Sequence, residues 1–159
     1  MVKASYGGDE NNFGSLKTHS LNIKPPTSTA TRLENGGAFV DQTSETGVNV
    51  TISGSTSPNG TRVVINSSDL GSYQPTGTGS TGLNGTKIFY DVSVQGISTG
   101  SAKVCISNPA VNSFFVMKYW NANLTTWVNA GSQTITGTVI CGVIPVPDLD
   151  GTPIVVGTS

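Results

Sequence analysis

Charge is what this chain has least of. Only 11% of its 159 residues are Asp, Glu, Lys or Arg, against a norm near 25% for soluble domains, and the formal net charge is -1. There is no basic field to hold a phosphate backbone, which sets nucleic acid aside as a partner. Histidine occurs once, at His19, and the acids are few and dispersed. Neither a Ser/His/Asp set nor a carboxylate pair follows from such spacing, so the chain reads as a non-enzyme. No apolar run approaches the roughly 18 residues that a bilayer span requires. Met1 to Ser5 leads into polar residues instead of the apolar stretch of an export signal, which is expected either of a mature secreted form or of an exported protein whose signal has been left off. The i, i+3, i+4, i+7 pattern of an amphipathic helix is also missing.

Short runs of Val, Ile, Thr and aromatics closed by Asn, Gly, Pro or Ser are what the chain has in quantity, and that is the pattern of strands bounded by turns. The densest block is Ser101 to Val156, which reads SAKVCIS, FFVMKYWN, TTWVNAG, TITGTVICGVI and TPIVVG. Five strands are predicted there. Ala102, Val104 and Ile106 share one face of the first, and Ile135, Val139, Cys141 and Val143 share one face of the fourth, because strand side chains alternate with period two. Upstream, Ile88, Tyr90, Val92 and Val94 fall on one face of a strand over Lys87 to Ile97. Val48, Val50 and Ile52 mark another, Ala38 to Val40 a short one, and Val63 and Ile65 a strand that pairs with 48–52 as a hairpin across Ser57-Pro58-Asn59-Gly60. The whole predicts an all-β chain, a β-sandwich of jelly-roll or immunoglobulin-like type with about 8–10 short strands.

Residues 32–159 are assigned to that sandwich and 1–31 to a flexible N-terminal segment, since Gly7 to Asn12 is polar and Pro25-Pro26-Thr27-Ser28-Thr29 resembles a linker. Between those stretches, Leu21 and Ile23 alternate with polar residues over Thr18 to Lys24. Two readings are open: an edge strand of the same sandwich, or a strand donated to a neighbouring copy of the chain. Asn66 to Thr86 shows no strand and carries five glycines, so it is expected to be a long binding or interface loop. Gly79 to Lys87 has the glycine content of a phosphate loop, but without the G-K-[ST] order or a following helix it argues against a nucleotide site.

Cys105 and Cys141 each sit mid-strand, with no C-x-x-C and no further Cys or His nearby to complete a zinc site. They are either a disulfide or two buried thiols; the extracellular character of the remainder favours the disulfide, worth on the order of 3 kcal/mol. Asn49, Asn59, Asn66, Asn84 and Asn123 each open an N-x-[ST] acceptor for glycosylation, a number that a chain rich in Asn, Ser and Thr also generates by chance. Asp148 and Asp150 flank a turn and are candidate calcium ligands, with Asp9, Glu10 and Asp41 able to complete a site only if the fold brings them there; the alternative is a turn whose acids bond their own backbone. Tyr119, Trp120 and Trp127 suit either stacking on a glycan or core packing. Trp120 shares a face with Val116, which favours the core.

The series Tyr90-Asp91-Val92, Val104-Cys105-Ile106, Tyr119-Trp120-Asn121, Thr126-Trp127-Val128, Ile140-Cys141-Gly142 and Pro153 to Gly157 resembles a β-sandwich module of secreted and cell-surface proteins of bacteria and archaea. In that module a VCI strand, a W-[DN]-G-x-x-W-V hairpin and an ICG strand precede a final apolar strand. The likeness covers roughly Lys87 to Gly157, and the chain departs from it at Ala122-Asn123-Leu124, where a turn glycine is usual. It implies a structural or adhesive role outside the cell. More loosely, the chain is similar to subunits of archaeal extracellular filaments and tubules that assemble by donated strands, sometimes with calcium. The function expected is thus a subunit polymerising with copies of itself, the alternative being a glycan- or protein-binding module of a larger surface protein.

Overall fold

The computed structural model describes residues 27–34, 39–54 and 62–159. Its strands are β1 Thr27–Glu34, β2 Phe39–Gln42, β3 Val48–Ser53, β4 Arg62–Gly71, β5 Asn84–Gln95, β6 Ser101–Ser107, β7 Phe115–Asn121, β8 Thr126–Asn129, β9 Gly131–Thr136, β10 Val139–Pro145 and β11 Thr152–Thr158. A single helical turn, α1 Thr43–Thr46, and a 3-10 turn, Val146–Asp148, are the only helical pieces among the described residues. A six-stranded sheet of order β1-β4-β5-β11-β7-β8 packs on a five-stranded sheet of order β2-β3-β6-β10-β9. The fold is a β-sandwich.

Period-two alternation builds its interior. Val48, Val50 and Ile52 of β3, Ile140 and Ile144 of β10, Phe115, Met117 and Tyr119 of β7, and Ile88, Tyr90, Val92 and Val94 of β5 all point inward and are buried. Their burial is the main stabilising contribution, at about 25 cal/mol per Å² of apolar surface. Gly142 stands between Ile140 and Ile144 on that inner face. A Cβ there would lie 2.6 Å from the Ala130 Cβ and 3.0 Å from the Met117 Sδ, so glycine is what lets β10 approach β7 and the start of β9.

Four expectations are corrected. β3 and β4 form no hairpin: β3 pairs with β2 and β6, β4 with β1 and β5, in opposite sheets. Ile52 and Val63 therefore stand in opposite sheets. Asn66 to Leu70 is strand despite its polarity, as β4 runs to Gly71, and the loop shrinks to residues 72–83. Polar residues are tolerated there because Ser67, which faces inward, finds partners in the interior. The expected fourth C-terminal strand is two, β9 and β10, hinged at Gly137 with φ 59°, so Ile135 pairs with Ile140 instead of sharing its strand with Cys141. Finally, β1 begins at Thr27 and pairs with β4 through Glu34, so 27–29 are strand and the sheet starts before residue 32.

Ser67 belongs to a polar bridge between the sheets. Its hydroxyl donates to Gln42 Oε1 at 2.6 Å, the Gln42 amide donates to the Ile65 carbonyl at 3.1 Å, and Thr46 Oγ1 lies 2.6 Å from Ser67 Oγ and 3.0 Å from the Gln42 carbonyl. All three residues are buried. At the β7–β8 turn, Asn121 Oδ1 accepts from the Leu124 N–H at 3.0 Å, and Thr125 takes a left-handed conformation, φ 50°.

Candidate functional site

Cys105 and Cys141 are disulfide-bonded. They face each other across β6 and β10, where Cys141 is in register with Cys105 and Ile140 with Ile106. Cys141 shares its side of β10 with Val139 and Val143, which are half-buried, while Ile140 and Ile144 point into the core. The bridge therefore lies on the outer surface of the five-stranded sheet.

The outer surface of the six-stranded sheet is different in kind, for it carries a second apolar cluster. Leu83, Phe89, Trp127 and Val155 are buried there, with Leu70, Val116 and Trp120 packed against them. Trp120 does share a face with Val116, but that face is the outer one, so its assignment to the central core is corrected: Tyr119 points inward and Trp120 outward. Trp120 and Trp127 pair across β7 and β8 with ring centroids 5.6 Å apart, edge to face, and Phe89 stands 6.1 Å from Trp127. Loop 72–83 supplies the cover. Trp127 Nε1 donates to the Gly79 carbonyl at 2.8 Å, Lys118 Nζ to the Thr81 carbonyl at 2.9 Å, and Gln74 Nε2 braces the loop from within by donating to Gly79 O at 2.9 Å. The polar tip of each long side chain is thereby used, as burial of Trp requires.

One cross-strand row of this outer surface combines unlike chemistries. Ser68 is in register with Asp91, Asp91 with Pro153, and Trp120 with Trp127. Pairing of β11 with β7 begins at Ile154 and Tyr119, which sets Pro153 beside Trp120. Proline is tolerated inside the sheet because ladder bonding toward β7 starts one residue later. Asp91 is half-buried, and its Oδ1 is buried with no hydrogen-bond partner among the described residues. Burial raises its carboxyl above the ordinary 3.8. Sequence reasoning passed over this residue, though a lone carboxylate within Ile88 to Val94 is itself a signal.

The two turn carboxylates differ in their surroundings. Asp148 Oδ2 accepts from the Tyr119 hydroxyl at 3.1 Å and from Asn121 Nδ2 at 3.2 Å, and the Thr152 hydroxyl donates to the Asp148 carbonyl. Burial, and then Asp148 beside it, raises the Tyr119 phenol above its usual value. Asp150 is exposed and lines a cleft of about 380 Å³ floored by Val94, Ile97 and Val146. No cluster of three His, Cys, Asp or Glu occurs among the described residues. Asp41 Oδ1 accepts from the Thr43 N–H at 3.0 Å, and Asp9, Glu10 and His19 lie outside the described residues.

Of the glycosylation candidates, Asn84 and Asn123 are exposed, Asn49 and Asn66 are half-buried within strands, and Asn59 lies outside the described residues. So do Leu21 and Ile23 of the expected donated strand. The edge to which such a strand would add is described: β1 borders the six-stranded sheet and, among the described residues, bonds only to β4. Among the described residues no helix is long and apolar enough to cross a membrane. No protein-family model, curated protein or solved structure matches the chain.

Proposed function

We propose that this protein is an extracellular structural subunit that polymerises with copies of itself into a surface filament, tubule or layer, by adding the Thr18 to Lys24 strand of one subunit to the sheet of the next. The observation that carries this reading is that β1 is the outermost strand of its sheet and, among the described residues, pairs only with β4. β1 spans eight residues, whereas the other edge strands are shorter, four residues each in β2 and β8 and six in β9. The sheet edge at β8 is further limited because the chain turns at Ala130 directly into β9 of the opposite sheet. An unpaired row of backbone donors and acceptors is the surface on which an extended segment adds, with main-chain bonds supplying affinity and alternate side chains, here Leu21 and Ile23, supplying register. Pro25 and Pro26 favour this arrangement, since proline has no N–H to give a ladder and two in succession are disfavoured inside a strand. The disulfide and the low charge suit a protein outside the cell, and glycans at Asn84 and Asn123 would add solubility.

Electron microscopy and size-exclusion chromatography of the full chain and of a chain lacking residues 1–26, each with and without millimolar calcium, form the test. Regular fibres or tubes from the full chain and monomers from the shortened one are expected. Assembly that survives the deletion overturns strand donation, and a full chain that stays monomeric under every condition overturns the structural role. A difference between the calcium arms would bring Asp148 and Asp150 into the assembly.

A further inference from the structure

We infer that the outer row Asp91, Pro153 and Trp120 is a binding site for a neutral saccharide. The inference does not depend on polymerisation and adds an activity to the surface of each subunit.

Three features of the row converge on that ligand class. The first is an acceptor in want of donors. Asp91 Oδ1 is buried without a hydrogen-bond partner among the described residues, its register neighbour Pro153 has no N–H to offer, and the Lys118 ammonium is turned away onto the Thr81 carbonyl. A buried acceptor left unpaired costs stability, and rotation of the half-buried carboxylate about its last torsion brings it to a sugar hydroxyl, a donor of the right size. The second is an apolar platform beside it. Pro153 and Trp120 are both half-buried and adjacent on the outer face, with the Trp120 indole held edge-on by Trp127 and bordered by Gly79, whose ideal Cβ would stand 3.9 Å from the ring. Aromatic and proline rings fixed in this way match the C–H face of a pyranose. The third is spacing. Adjacent strands lie about 4.8 Å apart, so Asp91 and Trp120, separated by β11, stand roughly 10 Å apart. A sugar unit over Pro153 and a second over Trp120 span that distance while the first directs hydroxyls at Asp91.

Charge narrows the class. Ser68 and Pro153 flank Asp91 in its row, with no cationic side chain among them. Anionic sugars would meet an uncompensated carboxylate, and neutral ones would not.

The test is titration of the full chain with cellotetraose, chitotetraose, mannotetraose and maltotetraose, followed by tryptophan emission and by calorimetry. At least one tetrasaccharide is expected to give a saturable shift in emission. Asp91→Ala and Trp120→Phe are each expected to weaken its binding by at least about tenfold, while Phe39→Ala, on the edge strand of the other sheet, leaves it unchanged. Near-UV circular dichroism confirms that each variant keeps the native packing, and Asp91→Asn serves if Asp91→Ala does not fold. The proposal is overturned if no tetrasaccharide perturbs emission or heat, or if binding to folded Asp91 and Trp120 variants matches that of the unaltered protein.

Discussion

The hydroxyl of Ser67 and the side-chain amide of Gln42 meet 2.6 Å apart between the sheets, one carried by β4 and the other by β2. Both are buried, so neither has water to fall back on. Ser67→Ala removes the hydrogen bond to Gln42 Oε1 and is expected to cost about 1 kcal/mol in urea unfolding, the usual net worth of a hydrogen bond. Replacing both residues with apolar ones of similar shape should cost less than the sum of the single changes.

Reduction of the disulfide should lower stability without changing the fold. The bridge closes a loop with a sequence separation of 36, for which restriction of the unfolded chain is worth about 4 kcal/mol. Guanidinium melts of the protein and of Cys105→Ser/Cys141→Ser are expected to differ by that order, with superimposable circular dichroism in water.

Gly142→Ala is expected to be among the most damaging single-methyl additions in the chain. The new Cβ would stand 2.6 Å from that of Ala130, a clash of β10 with the junction of β8 and β9, and overpacking of this kind costs roughly 1–3 kcal/mol. Thermal melts of Gly142→Ala against Gly137→Ala separate packing from backbone effects, since a Cβ at Gly137 meets nothing within 4 Å while its φ of 59° strains any side chain.

Thr125→Gly should move stability the other way. Thr125 is β-branched yet holds φ 50°, a conformation that disfavours branched side chains by roughly 1–2 kcal/mol. Glycine removes that penalty at some cost in unfolded-state entropy, so a gain of up to about 1 kcal/mol is expected in denaturant.

Acid and alkali should reveal two buried groups. The folded-state value of Asp91 is raised above 3.8 by burial, so the native protein holds the proton more tightly than the unfolded chain does. Stability therefore falls as pH rises from 3.8 through the raised value and is flat beyond it. Asp91→Asn should abolish that slope, while the exposed Asp41, lowered by its bonds to Thr43, keeps an opposite slope in both proteins. Tyr90 is buried, with Asn108 donating to its hydroxyl at 2.9 Å, and burial pushes it up to about 12 from 10.0. Stability should accordingly decline between pH 10.0 and about 12, and Tyr90→Phe should flatten the decline.

Strand existence was legible because Val48 to Ile52, Ile88 to Val94 and Ala102 to Ile106 alternate cleanly, and alternation is local. Sheet membership was not. Val48 to Ile52 and Val63 to Ile65 look like partners because they are neighbours in sequence, and only long-range pairing with β6 and β5 sends them to opposite sheets. Likewise the face of Trp120 follows from parity with Val116, but parity does not say which face is inside when both faces of the sheet carry apolar clusters. Asn66 to Leu70 was hidden for a related reason: its polarity is matched by Gln42 and Thr46, residues distant in sequence.

The position of the disulfide has a mechanical meaning. It ties together neighbouring strands inside one sheet, and β7, β8 and β9 lie within the ring it closes. Tension applied at the two ends of the chain would pass through the sulfur bridge and bypass that ring. Of the contour that full extension would release, the residues between the cysteines, separated by 36 positions, would contribute nothing, which shortens the stretched length by roughly 120 Å at about 3.4 Å per residue. Pulled between its ends, an oxidised subunit would therefore unravel to a shorter contour than a reduced one.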